Sequence, residues 1–493
     1  MKNITDFGAI GDGSTDNQTA FANAVNFCVA NGETLYIPAG DFFVGGVVSP
    51  PSGPLRIAGE GRDVTAVFGA GASDFLSCNG PTDISGVTVT GFKDAMNVGA
   101  AGDISLTDSR VTDCEYLLTG SVDAETFTIS RNILSGFSGG LILESTASIS
   151  GASYFKDNVV TDVARYVYRL QHDAPLFFAG NHIDGVHCDG YSGVYAVARV
   201  VMRGSRDTNH ITENTIKNVV ATDADSVLLY WSGGSAIVTG NTFGKFASGD
   251  DCYLVKEKSA ACRGLDLSRN IFLGGDESAE FNAVVYLLSD TDVAGAARRV
   301  SGNDFQKLTG QCVRLFGQNA SAIPGHTIVE SNTVIEMDGP CFVGSVNGCR
   351  GVTVRNNRCF KHTNKSHIAL TGSQRQKSIF TNYSAADYGV ASDVTVDGNE
   401  WVFSTDGEVS GPYPTAPICY SGLSAAPQNA ADIIAKDNIL TGADALVACS
   451  GSAGSADVLA ARNIAKGGLA VGSKSGTTTA QALVTLTEKD NEV

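Results

Sequence analysis

The chain has 493 residues, 43% of them hydrophobic, and 57 glycines against 12 prolines. That composition suits a globular protein and excludes collagen-like or disordered polymers. With 34 Lys and Arg against 52 Asp and Glu, the net charge is −18, which excludes a nucleic-acid partner because phosphate binding needs clustered cations. No apolar stretch approaches the ~20 residues of a membrane span, so no membrane insertion is expected. The first twenty residues have neither a basic n-region nor an apolar core. The expectation is a chain made in the cytoplasm without a signal peptide, which, if it acts outside a cell, is released by another route or by lysis.

Residues 1–70 open on Asp6-Phe7-Gly8-Ala9, then Gly11-Asp12-Gly13 and Asp16. A helix follows, capped by Thr15 or Asp16, with Phe21, Val25 and Cys28 on one face. After Asn31-Gly32 comes a strand from Thr34 to Pro38.

From residue 71 to about 470 one phrase recurs: β-branched residues, a variable residue, Asn, then an alternating apolar run. The asparagines are Asn132, Asn158, Asn181, Asn214, Asn241, Asn270, Asn303, Asn332, Asn357, Asn399, Asn438 and Asn463, spaced 23 to 42 residues apart. The flanking segments are short and rich in Val, Ile, Thr and Phe, which suits strands. No helix-period stretch separates them, which excludes βαβ units. The spacing fits one coil of a three-sheet solenoid, an all-β, right-handed, single-stranded parallel β-helix stabilised by stacking. A propeller blade needs four strands and about 40 residues, more than most of these spacings allow.

Each Asn is expected to take the left-handed conformation of a tight corner and to hydrogen-bond the Asn of the next coil. Leu141, Cys312 and Cys341 each lie nine residues after their Asn, Cys252 eleven and Val194 thirteen. The variable turn therefore precedes the third strand, where binding loops are expected. The 12 cysteines include no CxxC pair, and Cys252, Cys312, Cys341 and Cys419 open apolar runs. They read as small buried hydrophobes, which suits folding in a reducing cytoplasm. Trp401 and residues 412–417 are expected in a long surface loop, and residues 471–493 read as a tail.

The phrase FGAIGDGSTDNQTA, the helix and the strand ending in Ile37-Pro38-Ala39-Gly40 resemble the opening of pectate-lyase-superfamily proteins, phage tailspike polysaccharide depolymerases among them. Asn17 stands where that family has a second Asp, and Phe42 is the aromatic after the Pro-Ala-Gly. Residues 55–68 resemble the family's next strand pair. The resemblance implies a β-helix whose capping segment uses Asp12 and Asp16 structurally, and a polysaccharide held along the outer face of one sheet. It also implies a homotrimer that acts extracellularly as a phage or virion component.

Polar residues concentrate between 165 and 290. Asp250 and Asp251 stand directly before a strand carrying Tyr253 and Lys256, and the next coil's loop holds Asp276, Glu277 and Glu280. The preceding coil brings Tyr230 and Trp231 as sugar-stacking candidates. Coils stack about 4.8 Å apart, so carboxylates of neighbouring coils can reach the separations that glycosidases use, and clustered acids raise one another's pKa. Acid/base hydrolysis of a glycan is the leading expectation.

Asp250-Asp251-Cys252 resembles a motif of polygalacturonase-type glycosidases, whose companion motifs are absent here. Asp251 and Lys256 resemble the acid-x4-lysine strand of alginate-lyase-like β-helices, which implies β-elimination on a uronic-acid glycan with lysine as the base. A non-catalytic glycan-binding fibre is the third reading. Upstream, Arg165, Tyr166, Tyr168, Arg169, His172, Tyr195, Arg199 and Arg203 form a basic, aromatic patch suited to sugar stacking and carboxylate pairing. The histidines follow no metal spacing, so no cofactor is expected, Ca2+ entering only with an anionic substrate.

Overall fold

A computed structural model describes residues 1–493 other than 100–101, 125, 143–145, 173–174, 189–196, 203–207, 222–225, 249–252, 258–261, 275–282, 289–296, 317–325, 347–348, 365–376, 385–391, 405, 407–414, 423–430, 450–454, 470–471, 477–480, 482–483 and 493. The chain forms two compact units, Met1–Tyr230 and Trp231–Val493. Both are built of short strands, each paired in parallel with the strand one coil later, and both are parallel β-helices. Each coil contributes a strand before its Asn (sheet A), a strand or strand pair after it (sheet B) and a third strand (sheet C). In the first unit one such coil runs Phe127–Ser130, Ile133–Phe137 and Gly140–Ile142. In the second unit one runs Ala297–Ser301, Asp304–Phe305 with Leu308–Thr309, and Gln311–Phe316.

The first unit begins with the helix Gln18–Asn31, whose buried face includes Phe21, Val25 and Cys28. Its N-cap is Asn17, one residue beyond the expected pair. The Asn17 side chain serves the preceding segment instead, accepting from the Ile10 amide and donating to the Ile10 carbonyl. Asp16 Oδ1 takes the Gln18 and Gly45 amides at 3.0 Å each. Asp12 closes its own turn, accepting from the Ser14 and Thr15 amides at 2.8 Å. These bonds hold the Asp12 carboxyl well below the usual range. Gly32, at φ +64°, ends the helix in the left-handed conformation.

Inside each unit the inward residues stack on themselves coil by coil. Phe155 and Phe178 lie 5.0 Å apart and nearly parallel in the first unit. Phe243, Phe272 and Phe305 make a similar column in the second. Each fully buried side chain of this size contributes about 1.5–3 kcal/mol. The 11 described cysteines are all buried, packing as small residues of the core. Burial pushes the Cys78 thiol up to about 12 and the Cys114 thiol to about 11.

The corner between sheets A and B is where the repeat is strictest. The asparagines stack as expected: in each coil the Asn Oδ1 accepts both the backbone N–H and the Nδ2–H of the Asn one coil earlier. The Nδ2 group also donates to a sheet A carbonyl, as Asn303 does to Leu267. The left-handed residue is not the Asn but the one before it: Arg131, Asp157, Gly180, Glu213, Arg269, Gly302 and Ser331 all have φ between +55° and +67°. Chain reversal and amide stacking are thus divided between two residues. In the first unit Ser109 takes the Asn place, its amide bonding Asn132 Oδ1 at 2.9 Å. In the second the ladder runs on to Asn491, whose Oδ1 accepts from Asn463. The strand Val484–Lys489 pairs with Ala456–Ala461.

Trp401 is not in a surface loop. It lies in the strand Glu400–Phe403, registered between Cys359 and Leu440, and is fully buried. Its Nε1 donates to His362 Nδ1 at 3.0 Å, so the His362 Nε2–H donates to the Gly339 carbonyl at 2.7 Å. Residues 412–414 lie outside the described residues, and Thr415–Gly422 is a sheet C strand.

Candidate functional site

Sheet C of the second unit has one row of residues facing out of the solenoid and carrying chemistry. Val255, Val285, Val313 and Val343 are in register and fully buried, and form the inward row. Strand alternation therefore turns Lys256, Tyr286 and Arg314 outward in three successive coils, followed by Gly344. All three side chains are half-buried. The inward phase of Val313 and Leu315 therefore extends back to Val285 and Val255.

Tyr253, two residues before Val255 and only 4% exposed, backs the cluster from its buried side. Its ring centroid is 4.8 Å from that of Tyr286, tilted by 51°. Arg314 Nη1 donates to Tyr253 Oη at 3.4 Å, and Lys256 Nζ stands 5.5 Å from the Tyr253 ring and 5.8 Å from the Tyr286 ring. The site therefore combines an ammonium, a guanidinium and two phenols. It can grip a carboxylate and exchange protons through a phenol. Behind it, Glu257 and Arg298 form a buried bidentate pair, Nε to Oε2 at 3.0 Å and Nη2 to Oε1 at 2.7 Å. This pair pins the backbone next to Lys256.

A second cluster lies on sheet C of the first unit. Arg165, at φ +69°, donates from Nη1 to Tyr116 Oη at 3.3 Å. The Arg169 guanidinium lies 5.6 Å from the Tyr166 ring centroid. Burial, reinforced by Tyr116 and opposed by Arg169 and Arg165, pushes the Tyr166 phenol up to about 12. Tyr168 is fully buried, in the core.

Of the residues singled out from sequence, Asp250, Asp251, Asp276, Glu277, Glu280, Tyr195 and Arg203 lie outside the described residues. Lys256 and Tyr253 come together as described. Arg169 and Arg199 are register partners on neighbouring strands, as are His172 and Met202. Tyr230 and Trp231 are 5% and 0% exposed, because their strand Ser226–Ser232 packs them into the core. As neighbours in one strand they face opposite sides of the sheet, and both are covered. Tyr286 and Arg314 were missed. Their signal is the buried valine directly before each outward residue, Val255, Val285 and Val313, masked by insertions of different length. Among the described residues no group of three or more His, Cys, Asp or Glu could hold a metal ion. Nor is any described helix long and apolar enough to cross a membrane.

Residues 1–115 match the family model described as rhamnogalacturonase A/epimerase, pectate lyase-like. The chain is a parallel β-helix protein whose first 115 residues are pectate-lyase-like. The chain is 28% identical over 238 residues to mannuronan C5-epimerase AlgE2 of Azotobacter vinelandii, covering 42% of this chain. It spans only 23% of that relative's length. Among solved structures it is similar to the catalytic unit of a GH87 alpha-1,3-glucanase from Streptomyces thermodiastaticus: 14% identity, 97% of this chain, 69% of that one and a TM-score of 0.38. It is also similar to the A-module of mannuronan C-5 epimerase AlgE4 of Azotobacter vinelandii: 12% identity, 96% of this chain, 100% of that one and a TM-score of 0.23.

Proposed function

We propose that the chain is a carbohydrate-active enzyme that holds a uronic-acid glycan along sheet C of the second unit and removes the C5 proton of a uronate. The observation that carries this reading is the outward row Lys256, Tyr286 and Arg314, with Tyr253 beside it. Removing a proton next to a carboxylate loads negative charge onto that carboxylate. Lys256 and Arg314 are the cations that would stabilise it, and Tyr286 is the phenol that would exchange the proton. The electron pair of the broken C5–H bond moves toward the carboxylate. Returning a proton from solvent to the opposite face gives the C5 epimer. Expelling the C4 glycosidic oxygen instead, protonated by the proton that Tyr286 took from C5, cleaves the chain and leaves a C4–C5 double bond. The likeness to a mannuronan C5-epimerase supports the substrate class.

A second reading, acid/base hydrolysis by Asp250, Asp251, Asp276, Glu277 and Glu280, is favoured by one fact. These carboxylates directly precede the strands that carry Lys256 and Tyr286 in sequence. In that setting a Ca2+ ion would belong to the same carboxylates and an anionic substrate.

The test is to incubate the chain with polymannuronate in deuterated water and follow products by NMR and near-ultraviolet absorbance. Deuterium at C5, or an unsaturated absorbing product, is expected. New reducing ends with neither would overturn proton abstraction in favour of hydrolysis. Binding without any product would make the chain a glycan-holding fibre.

A further inference from the structure

A groove of about 400 Å³ lies on the outer face of sheet A in the second unit, within the size range of small-ligand sites. Sheet alternation explains its shape. Leu267 and Val300 point inward, so Asp266 and Ser268 face out in one coil and Arg299 and Ser301 in the next, register partners in pairs. Glu330 follows Ser301 in the same row. The short serines make a floor between long charged side chains. Gly302 extends that floor, since a Cβ there would meet only Arg269 Cγ, at 3.9 Å.

The polar chemistry of this groove is incomplete. Asp266 lines the groove as a half-buried side chain; its Oδ1 is turned into the wall and accepts no hydrogen bond among the described residues, which leaves the rest of the carboxylate to meet a ligand hydroxyl. Glu330 is shared between Arg299 and Arg355, with Arg355 Nη2 at 2.7 Å from its Oε2. Burial raises the Glu330 carboxyl, but the two guanidiniums together hold it below the usual range. Glu330 is therefore already neutralised, and Arg269 adds a further positive charge at the rim. On a chain of net charge −18 this is a local cationic spot.

The geometry points to a second, non-catalytic glycan site here, taking an acidic sugar whose hydroxyl bonds Asp266 and whose carboxylate meets Arg299 and Arg269. Strands about 4.8 Å apart suit successive sugar residues lying across the coils. The buried Glu257–Arg298 pair links the strand that carries Arg299 to the strand that carries Lys256. The choice of a uronate as ligand rests on the function proposed above; the existence of the groove does not.

The experiment is calorimetric titration of the full chain with a short oligomannuronate, beside Ser301→Trp, which fills the groove without removing an ion pair, and Asp266→Asn. The wild type should bind at two sites per chain. Ser301→Trp should bind at one, and Asp266→Asn should weaken the second site on the order of tenfold. Turnover of the short oligomer should be unchanged in both. Unaltered stoichiometry and affinity in both variants would overturn the proposal, as would a wild type that binds at a single site. Loss of turnover in Lys256→Ala, measured in parallel, tests the sheet C reading separately, so the two can fail independently.

Discussion

The corner between sheets A and B and the outer row of sheet C are both built by coil repetition, yet they use it in opposite ways. At the corner the same amide returns in every coil from Asn241 to Asn491 in the second unit, each bonded to the next at about 3.0 Å. On the sheet C row the residue changes at every step, from Lys256 to Tyr286 to Arg314 to Gly344. The corner amides answer to the backbone, whose buried N–H and C=O groups must be satisfied in every coil. The outward row answers to nothing inside the solenoid and is free to carry chemistry.

Breaking the corner should therefore be costly and indifferent to function. Asn303→Ala removes bonds to two neighbouring coils and to the Leu267 carbonyl and leaves buried amides unpaired. It should destabilise the chain by on the order of 3 kcal/mol. Asn491→Ala, at the last described step of the ladder and part-buried, should cost about 1 kcal/mol. Denaturant titration checks both, and equal costs would mean that the ladder does not act through stacking.

A smaller effect sharpens the contrast at an interior position that does not repeat. His362 is fully buried and held neutral between Trp401 and Gly339. Burial drives its pKa from 6.5 down to about 3. A base depressed in the folded state contributes stability above its unfolded pKa and loses it as pH falls toward the folded value. Between pH 6.5 and 4.5 the wild type should lose about 2 kcal/mol that His362→Gln does not lose. Melting curves across that window decide it, and parallel slopes for the two proteins would contradict the assignment.

Much of the fold was legible because its signals are periodic. The Asn phrase marks a corner in each coil, and Phe21, Val25 and Cys28 mark a helix face. What sequence could not assign was the division of labour at the corner. The left-handed residue is Arg131 in one coil, Asp157 in the next and Glu213 further on, so no single residue type announces it. Trp401 was misplaced because the long spacing between Asn357 and Asn399 suggested a loop. Yet Trp401 follows Asn399 by two residues, as the buried Cys359 follows Asn357. That shared phase places both side chains inward.

The candidate site was legible only in part, at Tyr253 and Lys256. Lys256 follows its Asn by 15 residues, Tyr286 by 16 and Arg314 by 11. Their alignment exists in strand register and not in the count along the chain. The central claim is that the outward row acts on substrate while the corner only holds the fold. It is tested most directly by measuring C5 deuterium exchange on polymannuronate beside melting temperature for Arg314→Gln. Exchange lowered on the order of a hundredfold or more, with the melting temperature nearly unchanged, is the predicted result. Exchange at the wild-type rate with the same melting temperature would contradict it.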